Sequence, residues 1–95
     1  MDKPMTTITL TVNHASGLHA RPAAKFVQTA VTFPCAITVK NMQGGKSANA
    51  KSILSVLTLG VNQGTEIEIE ASGEKDVEAL EALKSLVETN FGEEH

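Results

Sequence analysis

The residues most able to do chemistry lie in one short run, Ser16-Gly17-Leu18-His19-Ala20-Arg21-Pro22-Ala23-Ala24, between an alternating stretch and an apolar stretch of helical period. Pro22 suits the first turn of a helix, because its missing N–H would be unpaired there and its φ is already helical. A helix therefore begins within a residue or two of His19. That start gathers unpaired backbone N–H groups and the positive end of the macrodipole, so an anion held on His19 meets donors rather than repulsion. Arg21 adds a permanent cation beside it. An imidazole of ordinary pKa, ~6.5, is largely neutral near neutral pH and keeps one ring nitrogen with a lone pair able to attack phosphorus. Nucleophile, anion cradle and counter-charge thus coincide, and His19 is the candidate carrier of a phosphoryl group. The residue types alone also admit a carboxylate ligand, or a solvated histidine at a helix mouth.

A second candidate site follows Ser52. Ile53, Leu54, Val56, Leu57 and Leu59 leave the segment before Gly60 apolar nearly all round. One short helix cannot bury every face in a domain of this size, so some of these side chains form an exposed docking patch, for which Ile53, Leu54 and Leu57 are the candidates. Ser52 serves as the N-cap. A phosphate there would add ~-2 of charge beside the patch and switch binding without unfolding the chain.

Composition narrows the classes that remain. The 95 residues make one domain, 1–95, and only three aromatics imply a core of Val, Ile, Leu and Ala. A net charge of -3 with scattered Lys and Arg argues against a nucleic-acid binder. The N-terminus carries no apolar leader, and no run is long enough to cross a bilayer, so a cytoplasmic protein without direct membrane binding is expected. Cys35 is the only cysteine, which excludes an internal disulfide and suggests a half-buried structural thiol. No metal is expected, because His14, His19 and His95 have no partner at ligand spacing. His14 reads as a solvated loop residue near the site, and His95 as a terminal one.

The elements that must position these groups follow from periodicity. Ile8, Leu10 and Val12 alternate with threonines as a first strand, and Ala23, Phe26, Val27, Ala30 and Val31 repeat at helical spacing to an end near Thr32, before Pro34. Ala36 to Lys40 alternates again, and Asn41-Met42-Gln43-Gly44-Gly45 turns it into a weakly apolar edge strand over Lys46 to Asn49. Ser52 then opens a short helix ending at Gly60. Ile67, Ile69 and Ala71 alternate with Glu66, Glu68 and Glu70, and Val77, Leu80, Leu83, Leu86 and Val87 stripe a last helix whose opening Glu74 and Asp76 suit its positive end, with Gly92 near its finish. The order β-α-β-β-α-β-α predicts an α+β fold, a four-stranded antiparallel sheet with three helices on one face. Thr9, Thr11, Thr38, Glu66, Glu68 and Glu70 would populate the wet face and carry no chemistry.

Gly17-Leu18-His19-Ala20-Arg21-Pro22-Ala23-Ala24, followed by Gly45-Lys46-Ser47-Ala48-Asn49-Ala50-Lys51-Ser52 and by Thr58-Leu59-Gly60, closely resembles the HPr family, the histidine-containing phosphocarriers of the bacterial phosphoenolpyruvate:sugar phosphotransferase system. The likeness runs from about Thr6 to the last helix. It implies an open-faced β-sandwich and a relay in which enzyme I, charged by phosphoenolpyruvate, phosphorylates Nδ1 of the histidine matching His19. The group then passes to the IIA domain of a sugar permease. In that family the arginine matching Arg21 assists the phosphohistidine, the residue matching Ser16 lies near the same site with the neighbours matching Gly17, Ala20 and Pro22, and partners dock on the helices after Pro22 and Ser52. No cofactor is implied, because the phosphoryl group is carried covalently, and the carrier acts as a monomer rather than as an enzyme.

The family serine matching Ser52 is, in many bacteria, phosphorylated by an HPr kinase/phosphorylase, which slows the relay and creates a partner for a transcriptional regulator of catabolite repression. The loop Lys40 to Gly45 looks about two residues longer than is common in the family, at a hairpin where insertions are cheap. Two alternatives stand beside this reading. One is an HPr-like carrier of a nitrogen-branch or dihydroxyacetone phosphotransfer system; the other is a regulatory binding module in which the Ile53, Leu54 and Leu57 patch docks partners and His19 is incidental.

Overall fold

The computed structural model describes residues 5–92. Alternation of threonine with aliphatic residues produces β1 (Met5–Thr11), and the same period produces β2 (Ala36–Asn41), the short β3 (Ser47–Asn49) and β4 (Glu66–Ser72). Three helices intervene: α1 (Ala20–Ala30), α2 (Ile53–Leu57) and α3 (Asp76–Glu88), with a 3-10 turn at Asn90–Gly92 closing the described chain. The sheet order is β1-β4-β2-β3, antiparallel throughout, so the most regular strand, β4, is flanked on both sides and the weakly apolar β3 lies at an edge.

Register fixes which face is dry. Leu10 stands opposite Ile67 and Val39 opposite Ile69, and these residues are buried beneath the helices with Ile37 and Ala71. On the other face Thr7 and Thr38 flank Glu70, while Thr9 and Lys40 flank Glu68. Thr9, Thr11, Thr38 and Glu66 are exposed, and Glu68 and Glu70 are half-buried. All three helices cover the apolar face, giving the expected open-faced sandwich, and Phe26, Leu18, Val56, Leu83 and Phe91 fill the space between layers.

Several local expectations are corrected. Helix α1 ends at Ala30 with Val31 as its C-cap, and Val31 is 53% exposed because the helix stops before its last turn can press it inward. Val77 is 50% exposed, since Ala79, Leu80, Leu83 and Val87 form the buried stripe of α3 and Val77 lies to one side of it. Lys75, with φ 66°, caps α3, which places Glu74 ahead of the helix, and Asp76 accepts a hydrogen bond from Thr6 Oγ1 at 2.8 Å. Gly92 belongs to the turn after α3. Cys35 is buried, not half-buried, at the entry to β2. His95 lies outside the described residues.

The hairpin after β2 is closed by Asn41, whose N–H donates to the Lys46 carbonyl at 2.8 Å and whose carbonyl accepts from Gly45 at 2.9 Å. Its buried side chain donates through Nδ2 to the Leu59 carbonyl at 2.8 Å, so one asparagine ties the hairpin to the end of the α2 segment. None of the described helices is long and apolar enough to cross a membrane.

Candidate functional site

The approach to α1 is pinned residue by residue. His14 is the reason, and its placement corrects the expectation of a solvated loop residue: it is 6% exposed, its ring edge-to-face against Phe91 with centroids 5.8 Å apart. Its Nδ1 accepts from the Ser16 amide at 3.0 Å, and its carbonyl accepts from the Gly17 amide at 2.9 Å. The next amide, that of Leu18, donates to the Val61 carbonyl at 3.0 Å. Gly17 adopts φ +64°, and a Cβ there would lie 2.1 Å from the Val61 carbonyl oxygen, so the close approach of this turn to the segment at Val61 admits only glycine.

His19 follows as the N-cap of α1, in extended conformation at φ −129°, ψ 160°, half-buried and with no capping hydrogen bond from its side chain. Ala20 then takes φ +52°, a left-handed conformation costing roughly 1–2 kcal/mol for a residue with a Cβ. Arg21 is exposed, and Pro22, the third helical residue, is buried with Ala23 against the core. By helix geometry the amides of Ala20 and Arg21 have no partner four residues back, and Pro22 supplies none. Ser16 is exposed at the outer edge of the turn. Of the candidates, Ser16, Ala20 and Arg21 are exposed and His19 is half-buried at the helix mouth, while Gly17 and Pro22 are buried beneath them.

The second group forms the start of α2. Ser52 is the N-cap, and its Oγ accepts from the Ser55 amide at 3.4 Å. Leu54 is 75% exposed and Ile53 39%, whereas Leu57 is half-buried against the core and Val56 and Leu59 are buried. Helix α2 packs on α1. Lys51 donates through Nζ to the Phe33 carbonyl at 2.7 Å, tying the chain before α2 to the segment after α1.

His14 and Phe91 were the structural partners that spacing could not reveal, because 77 positions separate them. Three surface concavities, of about 450, 240 and 240 Å³, are lined by other residues, and none of them by His19. No group of three metal-ligating side chains occurs among the described residues.

Comparison with known proteins places this arrangement. Residues 6–89 match the family model described as the PTS HPr component phosphorylation site. The phosphocarrier protein HPr of Haemophilus influenzae is 48% identical over 75 residues, which are 79% of this chain and 86% of that protein. The phosphocarrier protein NPr of Proteus mirabilis is 39% identical over 83 residues, 87% of this chain and 91% of that one. In three dimensions a crystal structure of HPr from Thermoanaerobacter tengcongensis superimposes with a TM-score of 0.89 at 44% identity, covering 95% of this chain and 99% of the other.

Proposed function

This chain belongs to the HPr family of the phosphotransferase system, and from that premise we propose that His19 takes a phosphoryl group from phosphorylated enzyme I on Nδ1 and passes it to the IIA component of a sugar permease. The observation that carries the reading is a half-buried histidine at the mouth of α1 whose ring makes no capping bond, followed by Arg21. In the transfer the Nδ1 lone pair forms a bond to phosphorus as the donor's phosphorus–nitrogen bond breaks, and the donor ring keeps that electron pair. The Ala20 and Arg21 amides and the Arg21 guanidinium stabilise the charge of the phosphoryl oxygens. Two proteins must in turn bring their own histidine in line with His19, which suits a residue at a helix mouth outside any enclosed cavity. The chain, 1–95, acts as one cytoplasmic domain and as a monomer, and turns over nothing alone.

Ser52 is the proposed regulatory phosphorylation site and Ile53, Leu54 and Leu57 the proposed docking patch, Leu54 being its most exposed member. The likeness to an NPr protein favours a second reading, in which the same His19 chemistry serves a nitrogen-branch relay. Incubation with enzyme I, Mg²⁺ and phosphoenolpyruvate, followed by intact mass and phosphorus NMR of wild type and His19→Ala, tests the carrier reading. Acid-labile, base-stable phosphate on wild type alone is expected. Transfer only from a nitrogen-branch enzyme I supports the second reading, and partner binding that survives His19→Ala with undiminished biological effect supports a binding module instead.

A further inference from the structure

We propose that His14 is a positioning residue for the phosphoryl site, its Nδ1 holding the backbone turn that delivers His19; the inference rests on the carrier reading above. The Ser16 amide donates to that nitrogen at 3.0 Å. An amide donor there requires a lone pair on Nδ1, so the neutral ring carries its proton on Nε2. The ring plane is set by its edge-to-face contact with Phe91, at 74°. Phe91 is in turn tied to α1, because Lys25 donates through Nζ to the Phe91 carbonyl at 2.8 Å. The turn before His19 and the helix after it are thus referenced to one buried aromatic residue.

The bond from the side chain of residue i to the amide of residue i+2 occurs twice more among the described residues, each time with asparagine. Asn41 Oδ1 accepts from Gln43 at 2.8 Å, and Asn49 Oδ1 accepts from Lys51 at 2.9 Å. These are ordinary Asx turns. At residue 14 an imidazole makes the same bond, and its larger ring adds a buried contact that a carboxamide lacks. The result is that three successive amides, those of Ser16, Gly17 and Leu18, are committed to His14 Nδ1, the His14 carbonyl and the Val61 carbonyl. The three amides before His19 are thus spent on the turn, and the path of the chain into His19 is held at each of them.

The wild-type chain offers the first test. Nitrogen-15 NMR of the His14 ring should show the Nε2–H tautomer, with the Ser16 amide protected from solvent exchange; an Nδ1–H tautomer overturns the proposal. Phosphoryl transfer from enzyme I and phosphoenolpyruvate is then timed for wild type, His14→Ala and His14→Asn. Because misplacing a reacting group by an ångström costs on the order of 100-fold, His14→Ala should be slower by about tenfold or more, and His14→Asn, which restores the acceptor, should return to within about threefold of wild type. Equal rates for wild type and His14→Ala overturn the proposal, as does a His14→Asn chain that keeps Ser16 protected yet transfers as slowly as His14→Ala. If His14→Ala does not fold, His14→Asn decides alone: a rate within about threefold of wild type with Ser16 protected supports the proposal, and a slower rate overturns it. A wild-type chain that takes no phosphoryl group onto His19 sinks the carrier reading instead, and the tautomer and the Ser16 amide still report whether the turn is held as described.

Discussion

Helices α1 and α2 both open on a residue in extended conformation, His19 at φ −129°, ψ 160° and Ser52 at φ −115°, ψ 113°, yet the two mouths are finished differently. Ser52 turns its Oγ onto the amide three residues on, that of Ser55, and so satisfies its own helix. His19 makes no such bond, and the residue three positions on is Pro22, which has no amide to give. The first mouth also carries the awkward backbone, with Gly17 at φ +64° and Ala20 at φ +52°, while the residues around Ser52 adopt no positive φ. A helix start that serves stability consumes its donors locally. One that serves an incoming anion leaves them exposed and must be held in place by its neighbours instead.

The first mouth is most sensitive at Gly17. Gly17→Ala imposes a Cβ 2.1 Å from the Val61 carbonyl oxygen on a residue already at φ +64°. Strain and overpacking together should cost about 2–5 kcal/mol of stability, read from urea unfolding. Any chain that still folds should transfer phosphate more slowly, because the turn into His19 has moved. A loss under about 1 kcal/mol would mean that the turn relaxes easily and that the first mouth is no more constrained than the second.

Much of this contrast is legible in the amino-acid sequence. Alternation located the strands, Pro22 located the start of α1, and Ser52 declared itself a cap, because each of these signals depends on near neighbours in the chain. The misread residues depend on distant ones. His14 is buried by Phe91, whose own φ of +59° places it in a turn after α3, and no pattern near residue 14 encodes that contact. Val31 and Val77 fit a helical period, but α1 ends before Val31 and Val77 lies to one side of the α3 stripe, and the period alone marks neither the end nor the width of a buried stripe. The left-handed Ala20 carries no signal at all, because alanine is the residue type least suited to advertise it.

The exposed flank of the second mouth gives the next largest effect. Leu54 is 75% exposed, so Leu54→Glu should leave unfolding unchanged while weakening enzyme I binding by about 1–3 kcal/mol, measured by calorimetry. Ser52→Asp should act in the same direction through the same surface with the fold intact. If both variants bind and transfer as wild type does, the docking face lies elsewhere and the second mouth is purely structural.

The smallest effect separates the two mouths most cleanly. Ser52→Ala removes a long capping bond of 3.4 Å and should cost about 0.5–1 kcal/mol, the low end for such caps. The reverse experiment places serine at the first mouth. His19→Ser offers a capping oxygen, but the amide that Ser55 supplies to Ser52 has no counterpart at Pro22, so the new hydroxyl lacks its usual donor. His19→Ser and His19→Ala should therefore differ in stability by no more than about 0.5 kcal/mol, and neither should carry phosphate. A serine variant more stable than the alanine variant by about 1 kcal/mol or more would show that the Arg21 amide caps as well as an amide at the third position. In that event the exposed donors of the first mouth would follow from the choice of histidine at residue 19, and Pro22 would have no part in keeping them available.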